Sequence, residues 1–272
     1  MKLRQVVLAA VLIGAVVSVR PCSAQSSLAL PEFVDANVDD TTGQPAPAAP
    51  TPRHTGVKAM FKGLLEDFQH LPSKENLYWA AGGGAAALAV HPFDEKVSQQ
   101  VTGNPTADNF FKAGQFIGAT PTVFGASATV YIYGRLRDQP KVSHLGMDLL
   151  RAIAVSTTLT QTLKYTTRRL RPDGTTRNSF PSGHASDTFA VATALQRHLG
   201  WKYATPAYMF ASYVAASRLP TNRHWLSDVF FGSTVGIIAG RTVGSHEREH
   251  PFVPVTPVTM PGGMALVHTR TW

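Results

Sequence analysis

Three groups of residues between Lys164 and Asp228 carry side chains suited to holding and attacking an anionic group. The first is Lys164, six residues, then Arg171-Pro172. The second is Pro181-Ser182-Gly183-His184, and the third is Ser217-Arg218, five residues, His224, three residues, Asp228. Cations at Lys164, Arg171 and Arg218, a hydroxyl next to a glycine and two separate histidines suit a phosphoryl group without a metal ligand set. Arg218 can bridge two phosphoryl oxygens with its planar fork. A carboxylate bonded to one imidazole nitrogen would leave the other nitrogen free to attack, and His224 and Asp228 are spaced for one helix face.

Each cluster also has a plainer meaning. Lys164, Arg168, Arg169 and Arg171 could form a solvated basic face. Pro, Ser and Gly are ordinary helix-start residues, so Ser182 could be only an N-cap. His224 and Asp228 could be a surface pair. Together, in this order, the clusters favour the chemical reading. Lys164 and Arg171 are expected on nearly one face of a helix that ends at Arg171, because Pro172 disfavours helical geometry there. A helix starting after Ser182 would direct free N–H groups at an anion, with Gly183 permitting close approach.

The elements that must position these residues are helical. Apolar segments run over 76–91, 114–135, 145–169, 184–199, 203–218 and 224–242, preceded by an amphipathic piece from Met60 to Leu71. An all-α, six-helix core bundle is expected, with a short β-like tail signalled by valines on either side of Pro261-Gly262-Gly263. Residues 1–24 resemble a secretory signal, with Lys2 and Arg4 ahead of an apolar run and Cys22-Ser23-Ala24 before a cleavage point. An uncleaved anchor is the alternative. The expected divisions are a linker at 25–56, rich in Pro and Ala, a helical domain at 57–245 and a tail at 246–272. Cys22 is the sole cysteine, so disulfides are not expected in a processed product.

The chain has 272 residues and a formal net charge of +8, with 44% hydrophobic and 15% charged residues. The positive balance suits anionic substrates or lipid surfaces. No basic-aromatic repeat supports nucleic acid as a partner. Ala113 to Gly134 is uncharged and long enough to span a membrane, but Gly, Thr, Ser and Pro121 dilute it. The expectation is an exported domain, periplasmic or peripheral on the membrane; the alternative is an integral inner-membrane protein. His246-Glu247-Arg248-Glu249-His250 matches a zinc-protease pattern, but in a polar run before Pro251 it reads as a solvated helix end.

Over roughly residues 145–242, the three clusters resemble the signature of the type 2 phosphatidic acid phosphatase and vanadium haloperoxidase superfamily. The resemblance implies that His224 is a nucleophile forming a phosphohistidine and that Asp228 orients it. It implies that His184 protonates the leaving oxygen and then activates water, one histidine being neutral while the other is protonated. Lys164, Arg171, Ser182, Gly183 and Arg218 would bind the phosphoryl oxygens, with no metal. The substrate would be a phosphorylated lipid or a small phosphoester, with vanadate as an inhibitor. One departure is the stretch of eight residues between Pro172 and Pro181, short for the family, which tightens the loop over the site. Two alternatives stand beside this reading. One is a haloperoxidase with vanadate as cofactor, for which the chain is short; the other is a non-catalytic phosphate-binding envelope protein. Phe180, Phe189, Phe230 and Phe231 could line an apolar pocket or serve the core.

Overall fold

The computed structural model describes residues 56–243, and beyond them the backbone of 255–260 and 263–268. The expected signal, nearly all of the linker and the His246–His250 run lie outside the described residues. Helix α1 (Val57–His70) is followed by α2 (Lys74–Val90), which Ser73 caps by accepting from the Asn76 amide at 3.1 Å. After a 3₁₀ turn at His91–Phe93 come α3 (Asp94–Val101), α4 (Pro105–Ile117) and α5 (Thr120–Leu136). The long α6 (Pro140–Thr167) follows, then α7 (Gly183–Leu199), α8 (Trp201–Ser217) and α9 (Leu226–Thr242). Strands β1 (Val255–Met260) and β2 (Gly263–His268) pair antiparallel, as the tail pattern predicts.

The bundle is organised around α9, whose residues are almost all buried. It packs against α2, α6 and α7; α8 and α4 complete the core, and α5 packs on α6. Gly232, Gly236 and Gly240, one turn apart, give the α7 backbone room to approach. A Cβ at these positions would lie 2.6 Å from the Ser182 carbonyl, 2.2 Å from that of Ser186 and 2.5 Å from that of Ala190. This seam holds the start of α7 beside the start of α9, and so brings the second cluster to the third. At the far end, Asn76 Nδ2 donates to Thr242 Oγ1 at 2.9 Å and ties α2 to α9.

Two expectations about elements need correction. The apolar segment 114–135 is two helices, not one. The chain turns at Gly118-Ala119, where a Cβ on Gly118 would lie 2.1 Å from Val214 Cγ1, and Pro121 sits in the first turn of α5, where it loses no helical hydrogen bond. Helices α3 and the first half of α4 fall in a stretch with no predicted element. Among the described residues, no helix is long and apolar enough to cross a membrane.

Candidate active site

The helix that carries Lys164 ends at Thr167, four residues earlier than expected. Arg168 adopts the left-handed conformation (φ 47°), with its amide on the Lys164 carbonyl at 3.1 Å. Lys164 and Arg171 therefore do not share a helix face. The chain instead folds back as a loop in which the Arg171 amide bonds the Thr176 carbonyl (3.0 Å) and the Ser179 amide bonds the Arg169 carbonyl (3.0 Å). The cluster still converges, since Arg171 and Arg218 act electrostatically on the Lys164 ammonium.

Ser182 occupies the N-cap position of α7, but its hydroxyl does not cap the helix. The Oγ atom is buried without a hydrogen-bond partner, as are Nε of Arg171 and Nε of Arg218. The amides of Gly183, His184 and Ala185 occupy the first turn of α7, where no earlier helical carbonyl is available. The Ser182 amide itself is spent on the Asp228 carbonyl at 3.0 Å, which joins the second and third clusters. A hydroxyl, two guanidinium edges and a helix N-terminus with unpaired donors form the donor set an anion with several oxygens requires.

His224 and Asp228 do not share a helix. His224 lies in the turn before α9, and Asp228 is its third residue, accepting the Trp225 amide at 2.8 Å. The nearest contact of His224 Nδ1 is not the carboxylate, at 3.7 Å, but the Ser179 carbonyl, at 2.6 Å. A carbonyl only accepts, so Nδ1 carries the hydrogen and Nε2 holds its lone pair free. Ser179 does more: its hydroxyl donates to Asp228 Oδ2. His184 has the opposite tautomer. Its Nε2 donates to the Gln115 carbonyl at the end of α4 (3.0 Å), leaving Nδ1 for proton transfer.

Charge is concentrated out of water here. Burial, with Arg171 beside it, lowers the Lys164 ammonium to about 8, and burial lowers Arg218 to about 10. Burial also pushes His224 down to about 4, outweighing the attraction of Asp228, and Lys164 and Arg218 add to the shift. His184 falls to about 4 as well, through burial and the Arg218 charge. Both imidazoles are therefore neutral at pH 7. Burial, with Lys164 and Arg218 beside the rings, makes a second proton unfavourable until an anion enters. Burial alone would raise the Asp228 carboxyl, but His224, the Ser179 hydroxyl and Arg169 hold it below the usual range.

Residues that sequence reasoning missed surround this centre. Arg169 Nη1 donates to Asp228 Oδ1 and to Ser227 Oγ, both at 2.7 Å, and Nη2 donates to Asp94 Oδ2 at 2.8 Å. Asp94 also receives the Ser227 amide (2.8 Å) and hydroxyl (2.6 Å). Arg169 was visible only as one of a run of basic residues, and Asp94 carried no signal. Asp187, one turn beyond His184, receives hydroxyls from Thr120 (2.6 Å), Ser156 (2.9 Å) and Thr157 (3.2 Å), joining α5, α6 and α7. Of the four phenylalanines, Phe189 and Phe230 are core, while Phe180 and Phe231 stack at 4.9 Å and stay partly open.

The PAP2 superfamily model matches residues 145–246. The lipid A 1-phosphatase of Porphyromonas gingivalis is 48% identical over 80 residues, which are 28% of this chain and 18% of that protein; the alignment spans under a fifth of its length. The crystal structure of a transmembrane PAP2-type phosphatidylglycerolphosphate phosphatase from Bacillus subtilis superposes with a TM-score of 0.53 at 21% identity. The match covers 64% of this chain and 95% of that one, so the fold is shared. Aquifex aeolicus LpxE gives a TM-score of 0.46 at 24% identity, over 54% of this chain and 92% of its own. With its three clusters meeting at the starts of α7 and α9, the stretch from residue 145 to 246 belongs to the PAP2 superfamily.

Proposed function

We propose that this chain hydrolyses a phosphate monoester or pyrophosphate of a lipid through a phosphohistidine on His224. The observation that carries the reading is the fixed tautomer of His224. Its Nδ1–H is held by the Ser179 carbonyl, so Nε2 is the nucleophilic atom. Lys164, Arg171 and Arg218, the Ser182 hydroxyl and the first amides of α7 receive the phosphoryl oxygens. They also balance the charge that develops as His224 Nε2 bonds to phosphorus and the bond to the leaving oxygen breaks. Negative charge on the bound group offsets the repulsion that keeps His184 neutral. His184 then holds a proton on Nδ1 and gives it to the leaving oxygen. In the second step the same Nδ1 takes a proton from the water that attacks phosphorus and releases His224. A lipid substrate is supported by the relatives' names and by exposed apolar side chains, among them Phe116 at 75% and Tyr165 at 79%, on the segments carrying Gln115 and Lys164.

The test is turnover of purified protein on a panel of lipid and soluble phosphates, beside His224→Ala. Release of phosphate that survives chelators, is inhibited by vanadate and is lost in His224→Ala is the expected result. Equal activity of His224→Ala and wild type would refute the mechanism. Bromide oxidation with vanadate and peroxide would instead establish the haloperoxidase alternative. We further propose an exported domain held against anionic lipid by charge. It should leave membranes at high salt, because screening weakens surface attraction and not insertion.

A further inference from the structure

We propose that Asp94 and Arg169 are positioning residues for the nucleophile, forming a charge-balanced buttress that lets Asp228 present its full negative charge to His224. Asp94 comes from α3, ahead of the stretch that matches the family. The proposal rests on His224 being the nucleophile.

The geometry of the buttress is closed on every side. Asp94 takes both the amide and the hydroxyl of Ser227, in the first turn of α9. This places an anion where the helix dipole favours one and fixes α9 against α3. Arg169 lies between the carboxylates, one nitrogen on each, with its guanidinium 5.6 Å from the centre of the Trp225 ring. Nη1 holds one oxygen of Asp228 while the Ser179 hydroxyl and the Trp225 amide hold the other, so the carboxylate has little freedom to rotate. Asp228 is fully buried and Asp94 nearly so, so these charges are only weakly screened.

The charge count explains why both partners are needed. An arginine in contact with Asp228 and unopposed would cancel much of the carboxylate field at His224. Asp94 cancels the arginine instead. The set Asp94, Arg169 and Asp228 then carries one net negative charge, and Asp228 is the member next to His224. The groups facing His224 are Lys164 from α6, His184 from α7, Arg218 after α8 and Asp228 from α9. Three of those elements thus supply cations or a neutral ring, and Asp228 is the anion available to stabilise the imidazolium formed when Nε2 bonds to phosphorus. Lys164 and Arg171 also act on Asp228, which makes its remaining charge worth protecting.

The two residues therefore act on His224 with opposite sign, which a merely structural role would not produce. Asp94→Asn, Arg169→Gln and the double variant are prepared in the full chain. The pH dependence of aryl phosphate hydrolysis is measured, together with the ¹⁵N titration of the His224 ring in the resting protein. Removing Asp94 leaves Arg169 unopposed, so the His224 titration moves to lower pH. Removing Arg169 frees the Asp228 charge and moves it to higher pH. The acid limb of kcat/KM follows each shift. In Asp94→Asn, kcat falls about ten- to a hundredfold with KM little changed, the usual range for a group that orients a reacting one. The double variant loses less than the product of the two single losses, because Asp94 has no cation left to oppose. Shifts of the same sign, no shift, strictly multiplicative losses or a loss confined to KM would each overturn the proposal. So would failure of both single variants to fold together with failure of Arg169→Lys, which keeps the charge. Absence of hydrolysis by the wild type would refute the phosphatase reading instead, and the ring titration would still decide the buttress.

Discussion

Replacing Lys164 with methionine removes an ammonium buried beside two guanidinium groups while keeping a side chain of similar length. The Lys164 pKa is about 8 in the fold against 10.5 for the free side chain. The unfolded chain therefore binds this proton more tightly, and below pH 8 the folded state is destabilised by about 3 kcal/mol. The penalty fades as pH rises from 8 to 10.5, because the folded protein is by then already neutral at this position. Methionine also loses the hydrogen bond from Nζ to the Asn178 carbonyl at 2.5 Å, worth about 1 kcal/mol. At pH 7 the net expectation is a gain of about 2 kcal/mol, or roughly 4–8 °C in Tm for a domain of this size.

Thermal unfolding followed by circular dichroism at pH 7 and pH 10 is the assay. At pH 10 the difference should nearly vanish, since the remaining penalty and the lost hydrogen bond are each about 1 kcal/mol and oppose one another. Function should move the other way. Without the ammonium, kcat/KM at pH 7 should fall about ten- to a hundredfold, the value of one charge-assisted hydrogen bond to the phosphoryl group. A lower Tm than wild type at pH 7, or a difference indifferent to pH, would refute the reasoning.

Further outcomes follow from the site and from the packing. His224→Ala should abolish turnover and stay folded, whereas His184→Ala should retain more activity as the leaving group improves, measured with a series of aryl phosphates. Gly236→Ala should destabilise by about 1–3 kcal/mol in denaturant melts, its methyl meeting the Ser186 carbonyl at 2.2 Å. Gly84→Ala, whose nearest neighbour would be Phe231 Cε2 at 3.8 Å, should instead stabilise by about 0.5–1 kcal/mol. Asp67→Ala should cost about 3–5 kcal/mol, because it takes a carboxylate at 2.8 Å from the buried Arg151 that joins α1 to α6.

The sequence was most informative where apolar runs were long. Helices α6 to α9 lie close to their expected limits, because each buries enough of its surface to need a sustained apolar pattern. Helix α3 was invisible for the opposite reason: with Asp94-Glu95-Lys96 and Gln99-Gln100, its apolar face is only Val97 and Val101, too short for a periodic pattern. The join within 114–135 was hidden because Gly118 turns the chain through a contact with Val214, nearly a hundred residues away. Pro172 suggested a helix end at Arg171, but the helix stops at Thr167, where Arg168 begins the turn that delivers Arg169 to Asp228.

The same distinction runs through the site. Groups that would touch a phosphoryl oxygen act through their own side chains, so residue type and spacing disclose Lys164, Arg171, Ser182, Arg218 and both histidines. Groups that hold them act through backbone atoms or across the fold. The carbonyls of Ser179 and Gln115 set the two imidazole tautomers, and any residue supplies a carbonyl. Asp94 reaches Arg169 from 75 positions away, and only the packing of α3 against the start of α9 brings them together. The placement of Asp228 follows the same logic. Four-residue spacing suggested a helix face, yet a helix beginning at Leu226 puts the carboxylate in the first turn and the imidazole outside it. That geometry frees Asp228 to cap Trp225 and receive Arg169 while it acts on His224 through charge rather than contact, leaving the Ser179 carbonyl to direct Nε2.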